Sequence, residues 1–123
     1  MAKRILVVDD EVYILHILDF SLGAEGYEVI TAADGESGLE RARSIKPDLI
    51  VLDVMMPGKV GYEVCEELKS DPETKGIYII FLTARGGSVA ETTGKMQGGD
   101  AFMVKPFEPK ELREKVRKAL GME

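Results

Sequence analysis

Short runs of branched apolar residues recur along the chain, and each run ends at a polar residue or a turn. A run of this kind, bounded by turn residues, is typical of a strand that is buried on both faces. The pattern predicts five strands, separated by segments with apolar residues at helical spacing. The predicted strands cover 5–8, 28–32, 49–52, 78–82 and 101–104.

Helices are predicted between these strands from the residues that start and stop them. Asp34 can cap the second helix, and prolines follow the ends of the second and third. The fourth segment contains three glycines and two threonines, which are poor helix formers, so it should be the least stable helix. The predicted helices cover 12–24, 34–44, 62–70, 84–97 and 108–120.

Five strand–helix units with fully apolar strands predict a single α/β domain over residues 1–123. The expected fold class is a doubly wound, five-stranded parallel sheet with helices on both faces and right-handed crossovers. In such open sheets, ligands bind outside the carboxyl ends of the strands, where the strand order switches direction. Functional side chains are therefore expected at those strand ends.

The charge balance narrows the classes of partner. The chain has 16 Lys and Arg against 22 Asp and Glu, a formal net charge of −6, which disfavours nonspecific nucleic-acid binding and anionic membrane surfaces. The longest apolar stretch, 77–82, is too short to span a bilayer, and no export signal is visible at the start. The lone Cys65 fits a reducing compartment as a small core side chain. We expect a cytoplasmic protein.

Polar side chains with complementary chemistry follow four of the predicted strands. Asp9 and Asp10 follow the first strand, Asp53 the third, Thr83 the fourth and Lys105 the fifth. Taken singly, each has an ordinary structural explanation, as an acid at a helix N-terminus, a helix cap or a solvated charge. Agreement at four strand ends favours a functional site.

Three carboxylates at one point repel one another, which raises their pKa values unless a cation joins them. Hard oxygen ligands suit magnesium or calcium, and magnesium usually combines one or two carboxylates with waters and phosphate oxygens. A site that also holds a hydroxyl and an ammonium therefore indicates a phosphoryl group. Asp53 is then the nucleophile that forms an acyl phosphate, with Lys105 neutralising charge and Thr83 donating a hydrogen bond.

Four motifs carry these residues: Val-Val-Asp-Asp-Glu at 7–11, Leu-Asp-Val-Met-Met-Pro-Gly at 52–58, Leu-Thr-Ala-Arg at 82–85 and Val-Lys-Pro-Phe at 104–107. In this order they resemble the receiver domain of two-component response regulators, and the match spans essentially the whole chain. The resemblance implies the strand order 2-1-3-4-5 of chemotaxis receivers. It also implies that Asp53 accepts its phosphoryl group from a sensor histidine kinase or a phosphotransfer protein.

The resemblance assigns further roles to residues around Asp53. Thr83 and Phe102 would form a switch, in which Phe102 changes rotamer with phosphorylation, and the Lys105-Pro106 bond would be cis. The switch would alter a face formed by the predicted helix at 84–97, the last strand and the last helix, and with it the binding of a downstream protein target. Magnesium would be held by the carboxylates of Asp9, Asp10 and Asp53 and by the backbone carbonyl of Met55.

The first predicted helix has two apolar stripes. At about 100° per residue, one stripe of three leucines should face the sheet, and a second stripe almost opposite should face solvent. The second stripe is either ordinary surface packing or a docking site for a partner. In the family that the chain resembles, the helical bundle of the kinase or phosphotransfer protein docks on helix one. His16 lies beside it as a surface residue. The residues assigned to partner docking are Tyr13, Ile17, Phe20 and Pro106.

Departures from the family's pattern leave two questions open. Val60 stands where the family usually has an Asp before the glycine, which removes a helix cap worth about 1 kcal/mol. Lys59 beside it is either a solvated lysine or a residue that reaches the phosphate.

The face through which winged-helix regulators pair their receivers has poor charge complementarity here. Glu91 and Glu111 would bring like charges together, while Gln97 and Ala101 replace acids. This favours a stand-alone receiver, a monomer or a weak dimer on phosphorylation, with no direct contact to nucleic acid or membrane. The alternative is a receiver domain cut from a longer DNA-binding or enzymatic response regulator.

Three other classes fit the residues less well. A flavin-binding electron carrier needs a phosphate loop after the first strand, where the acids at 9–11 would repel phosphate. A phosphatase with an Asp nucleophile would need a second acid where Met55 stands, so no enzymatic turnover is expected beyond slow loss of the protein's own phosphate. A receiver-like module that only binds partners usually lacks the acids or the lysine, and both are present.

Overall fold

Five parallel strands form the centre of the protein, and each begins and ends within one residue of its predicted bounds. The structure is a computed structural model that describes residues 2–56, 60–83 and 99–121. The strands are β1 (Arg4–Val8), β2 (Glu28–Ala32), β3 (Leu49–Asp53), β4 (Tyr78–Thr83) and β5 (Ala101–Val104).

The strand order is β2-β1-β3-β4-β5, as expected, and every neighbouring pair is parallel. Val8 lies opposite Leu52 in the β1–β3 pair, so the residues that follow β1 and end β3 meet at one edge of the sheet. The chain passes from β1 to β2 on one side and then to β3 on the other. The switch point of the fold therefore lies between β1 and β3.

The described part of the chain contains four helices, and none of them is long and apolar enough to cross a membrane. Asp34 caps the second helix as predicted, because its Oδ1 accepts a hydrogen bond of 2.8 Å from the Ser37 amide. The third helix lacks a side-chain acceptor at Val60, but the Val60 amide donates to Glu63 Oε1 at 3.1 Å. The helices are α1 (Val12–Gly23), α2 (Gly35–Ile45), α3 (Gly61–Lys69) and α4 (Pro109–Ala119).

Several expectations concern residues outside the described ranges. These are the predicted helix at 84–97, with Glu91 and Gln97 of the proposed pairing face, and Lys59 after the third strand.

Alternation along the strands divides the core between the two faces of the sheet. Leu6, Ile50 and Phe81 belong to the cluster that includes α2 and α3, while Ile5, Val51 and Leu82 belong to the cluster that includes α1 and α4. Leu15, Leu18 and Leu22 of α1 are buried, which confirms that this stripe faces the sheet. Cys65 is buried in the α3 layer, and burial raises the pKa of its thiol to about 11, so it stays neutral.

Candidate functional site

Two buried carboxylates meet at the switch point of the sheet. Asp9 directly follows β1 and is 0% exposed, and Asp53 ends β3 and is 3% exposed. Backbone amides orient both: Asp9 Oδ1 accepts from the Glu11 amide at 2.9 Å, and Asp53 Oδ1 accepts from the Met55 amide at 3.3 Å. The parallel pairing of β1 with β3 thus brings together acids that lie far apart in the sequence.

A third carboxylate, Asp10, completes a cluster that could hold a metal ion. One carboxylate oxygen from each of Asp9, Asp10 and Asp53 lies within 4.8 Å of the other two. Asp9 Oδ2 is buried without a hydrogen-bond partner in the described part of the chain, although it forms an ion pair. The ligand atoms are all oxygens, Asp9 Oδ2 lacks a hydrogen-bond donor among the described residues, and Asp10 is open to solvent. This arrangement fits a hard divalent cation that also binds water. Met55, the fourth expected ligand, lies beside it with an exposed side chain.

Lys105 supplies the positive charge of the site. Its Nζ lies 2.8 Å from Asp9 Oδ2, 2.8 Å from Glu11 Oε1 and 3.5 Å from Asp53 Oδ2. The Lys105 amide donates to the Thr83 carbonyl at 2.7 Å, which fixes the lysine backbone to the end of β4. The Lys105-Pro106 peptide bond is cis, as the resemblance implied.

The carboxyl group of Asp53 is electrostatically destabilised when ionised. Burial, followed by the charge of Asp9, raises the pKa of Asp53 to about 7, although Lys105 and the Met55 amide act in the opposite direction. For Lys105, burial opposes the charged form, but its contacts with Asp9 and Glu11 outweigh burial and raise the pKa above its ordinary value. A divalent cation near Asp53 would favour the ionised, nucleophilic carboxylate.

Thr83 and Phe102 occupy neighbouring strands. Thr83 ends β4 and is 4% exposed, and β4 pairs with β3 so that Leu82 lies opposite Asp53. Phe102 on β5 is half-buried, and its ring stacks on Phe81 with centroids 5.5 Å apart. Thr83 therefore reaches the same edge of the sheet as Asp53, while Phe102 lies against the core behind it.

The sequence predictions missed two residues that shape this site. Glu11 pairs with Lys105, and its position directly after the two aspartates was the available signal. Gly61 begins α3, and its amide donates to the Val54 carbonyl at 3.0 Å. A Cβ atom there would lie 2.9 Å from Val54 Cα and still closer to the Asp53 carbonyl, so only glycine allows α3 to begin this close to β3.

The predicted docking residues lie on one surface, which we name the α1–α4 surface. Tyr13, Ile17 and Phe20 of α1 are 58%, 41% and 82% exposed, which confirms that this stripe faces solvent. Two grooves share Ile17 and Pro109: one extends past Phe20 to Arg113, and the other past Tyr13 to Lys105 and Pro106. The second groove connects this surface to the lysine of the carboxylate cluster.

Comparisons with known proteins agree with this geometry. The family described as response regulator receiver domain matches residues 5–117. A crystal structure of the Vibrio cholerae chemotaxis protein CheY4 superposes with a TM-score of 0.93 at 32% sequence identity, covering 97% of this chain and 99% of that one. The alkaline phosphatase synthesis transcriptional regulatory protein PhoP of Bacillus subtilis is 46% identical over 121 residues, 98% of this chain and 49% of that protein.

The curated relatives are longer than this chain. The probable transcriptional regulator ycf27 of Cyanophora paradoxa is 50% identical over 118 residues, which cover 96% of this chain and 48% of that protein. The chain thus spans about half the length of the curated relatives it matches. Because these relatives are named as transcriptional regulators, the expected lack of direct contact with nucleic acid has no support from them.

Proposed function

The chain belongs to the response regulator receiver domain family of two-component signal transduction, and from this we propose that it is a phosphorylation-activated switch whose acceptor is Asp53. One observation carries the proposal: Asp53 is buried at the end of β3 between the acids of the cluster and the Lys105 ammonium. A carboxylate in this setting can be a nucleophile, and the ammonium can neutralise charge on an incoming phosphoryl group.

The proposed donor is the phosphohistidine of a sensor histidine kinase or a phosphotransfer protein. An Asp53 carboxylate oxygen attacks phosphorus, a P–O bond forms, and the P–N bond to the imidazole breaks. The imidazole leaves with the bonding electrons and takes up a proton, so the product is neutral histidine and an aspartyl phosphate. The Thr83 hydroxyl then donates a hydrogen bond to one phosphoryl oxygen, and the Lys105 ammonium pairs with another.

Magnesium is the proposed cofactor. The carboxylates of Asp9, Asp10 and Asp53 would hold it together with the backbone carbonyl of Met55, in a cluster whose oxygens already lie within 4.8 Å of one another. When bound, magnesium supplies positive charge that offsets the charge of the transferring phosphoryl oxygens. Asp9 and Asp10 contribute by holding their oxygens toward this point, while the Lys105 ammonium would act on the phosphoryl group itself.

The switch would use the elements next to Asp53. Phosphorylation adds a charge of about −1.5 to −2, which attracts the Thr83 hydroxyl. Phe102 would then turn inward behind Thr83, changing a face built from β5, α4 and the segment at 84–97. That face would bind the downstream protein target, with a monomer or a weak dimer as the phosphorylated form. Beyond slow loss of its own phosphate, the protein would catalyse no turnover.

The test is phosphorylation by acetyl phosphate with magnesium, followed by intact mass. Wild type should gain one phosphoryl group, and both Asp53→Ala and added EDTA should abolish the gain. A matched Asp19→Ala variant, which removes an exposed acid of α1, should behave as wild type. Absence of the gain in wild type, or an equal gain in Asp53→Ala, would refute the proposal.

We also propose that the α1–α4 surface receives the phosphodonor protein. Ile17→Asp with Phe20→Lys should slow phosphotransfer from purified histidine kinases and leave phosphorylation by acetyl phosphate unchanged, because the small donor needs no docking. The control pair Glu40→Lys with Arg41→Asp puts the same residue types on exposed positions of α2. Normal transfer from the kinase to the α1 variant would contradict this assignment.

A second candidate role is that of the receiver part of a longer cytoplasmic transcriptional regulator. It is favoured by the curated relatives, which bear such names and of which this chain covers about half. The mass of the native protein in its source cells decides between the two: a species about twice as long as this chain supports the longer regulator, and a species of this length supports a stand-alone receiver.

A further inference from the structure

The Lys105 ammonium is paired more closely with Glu11 than with the phosphoacceptor. Its Nζ lies 2.8 Å from Glu11 Oε1, with hydrogen-bond geometry, and 3.5 Å from Asp53 Oδ2. The Lys105 side chain is 13% exposed, whereas the Glu11 side chain is 43% exposed. A largely buried ammonium thus directs one of its short contacts to an acid at the rim of the site.

The position of Glu11 is fixed by the site itself. Its amide donates to Asp9 Oδ1 at 2.9 Å, so its backbone is held by one of the buried acids. Its side-chain Oε1 lies 2.8 Å from Lys105 Nζ. Glu11 is therefore a carboxylate competitor for Lys105, held in the loop between β1 and α1.

We infer that Glu11 is a positioning residue for Lys105, holding the ammonium in a resting position that phosphorylation of Asp53 must displace. The inference rests on the proposed phosphorylation of Asp53. A phosphoryl group on Asp53 carries more negative charge than one carboxylate, so Lys105 exchanges its Glu11 contact for a phosphoryl oxygen. Glu11, half exposed, is then solvated by water. The Lys105–Glu11 pair thus opposes the phosphorylated state and sets how easily it is reached.

The test measures binding of beryllofluoride, an acyl phosphate mimic, in the presence of magnesium. Titration of the wild-type protein and of variants, followed by the amide NMR signal of Met55, gives the half-saturating concentration. Glu11→Gln should bind beryllofluoride about three- to tenfold more tightly, because a partly buried ion pair no longer has to be broken. The phosphoryl group donated by acetyl phosphate should also persist longer in this variant.

Two further variants separate positioning from a general charge effect. Glu11→Asp keeps the charge but shortens the side chain by one methylene, so it should behave like Glu11→Gln. In a Lys105→Met background, Glu11→Gln should no longer change beryllofluoride affinity. Glu40→Gln, which removes one exposed negative charge from α2, should match wild type.

The outcomes distinguish this inference from the proposed function. If wild type binds no beryllofluoride and takes up no phosphoryl group, the proposed function itself fails. If wild type does both, and Glu11→Gln and Glu11→Asp have wild-type affinity, the positioning role is wrong and the phosphoacceptor stands. Two results would show a through-space charge effect and overturn the inference. In the first, Glu11→Gln binds beryllofluoride more tightly but Glu11→Asp binds it as wild type does. In the second, the effect of Glu11→Gln on affinity persists in the Lys105→Met background.

Discussion

Replacing Asp53 with Asn is expected to raise the free energy of unfolding, and to raise it more at high pH than at low pH. The carboxylate is buried beside Asp9, and these two causes raise its pKa from 3.8 to about 7. In the unfolded chain the carboxyl returns to its ordinary value. Between these two values the native protein binds more protons than the unfolded chain, so wild-type stability falls as pH rises through this window.

The size of the effect follows from the pKa difference. A difference of about three units corresponds to about 4 kcal/mol at pH values above 7, since each unit is worth about 1.4 kcal/mol. Solvent at the Asp10 side of the site screens part of this energy, and the Asn amide must itself be buried. The expected net gain is therefore about 1–3 kcal/mol at pH 8, falling toward zero near pH 4.

Urea unfolding followed by circular dichroism, at pH 5 and pH 8 with EDTA, measures this gain. Asp19→Asn is the matched control, because Asp19 is exposed on α1, and it should be close to wild type at both pH values. Added magnesium should reduce the difference in stability between Asp53→Asn and wild type at pH 8, by binding only the folded wild type. If that difference is equal at the two pH values, or if the variant is less stable than wild type at pH 8 in EDTA, Asp53 is not destabilised when ionised.

Two further substitutions test the contacts at the two ends of α3, Gly61 at its start and Lys69 at its end. Gly61→Ala should lower the free energy of unfolding by about 1–3 kcal/mol, because its Cβ would overlap the backbone at Val54. Gly23→Ala is the control and should not lower it, since the space around its Cβ is open. Similar urea midpoints for the two variants would contradict the close approach of α3 to β3. Lys69→Met should lower the free energy of unfolding by about 1–3 kcal/mol in the same assay, because the Lys69 ammonium donates to two backbone carbonyls and one carboxylate. Lys46→Met is the control: it removes an exposed ion pair and should cause no measurable change. A Lys69 variant as stable as wild type would mean that these hydrogen bonds contribute little.

The three central strands, β1, β3 and β4, were predictable because each contains an uninterrupted apolar run ended by a polar residue. A strand in a parallel sheet that is covered on both faces needs apolar residues at every position, so the apolar run itself locates the strand. The two faces of α1 were also predictable, since a period of 3.6 residues separates Leu18 from Ile17 and Phe20 around the helix. Both conclusions use only neighbours along the chain, and the structure confirms them.

The strand order and the candidate metal-binding cluster could not be predicted from local pattern alone. Adjacency of β1 and β3 cannot be read from apolar runs, and it was the resemblance of four motifs that implied the order 2-1-3-4-5, which the structure shows. Given that order, Asp9 and Asp53 must lie close together. The structure adds the spacing of the three carboxylates and the buried Asp9 oxygen that make a cation site chemically reasonable.

The sequence by itself determined which residues stand at the strand ends and which chemistry they offer, because β-strand and helix periodicity place them without reference to distant residues. Only the tertiary structure decided which charges pair. Lys105 could have been assigned to any of four nearby acids, yet its ammonium lies closer to Asp9 and Glu11 than to Asp53. Which acid pairs with the lysine depends on distances that differ by less than 1 Å, and only the fold sets these distances. Coulomb energy at short range changes strongly with such differences in distance.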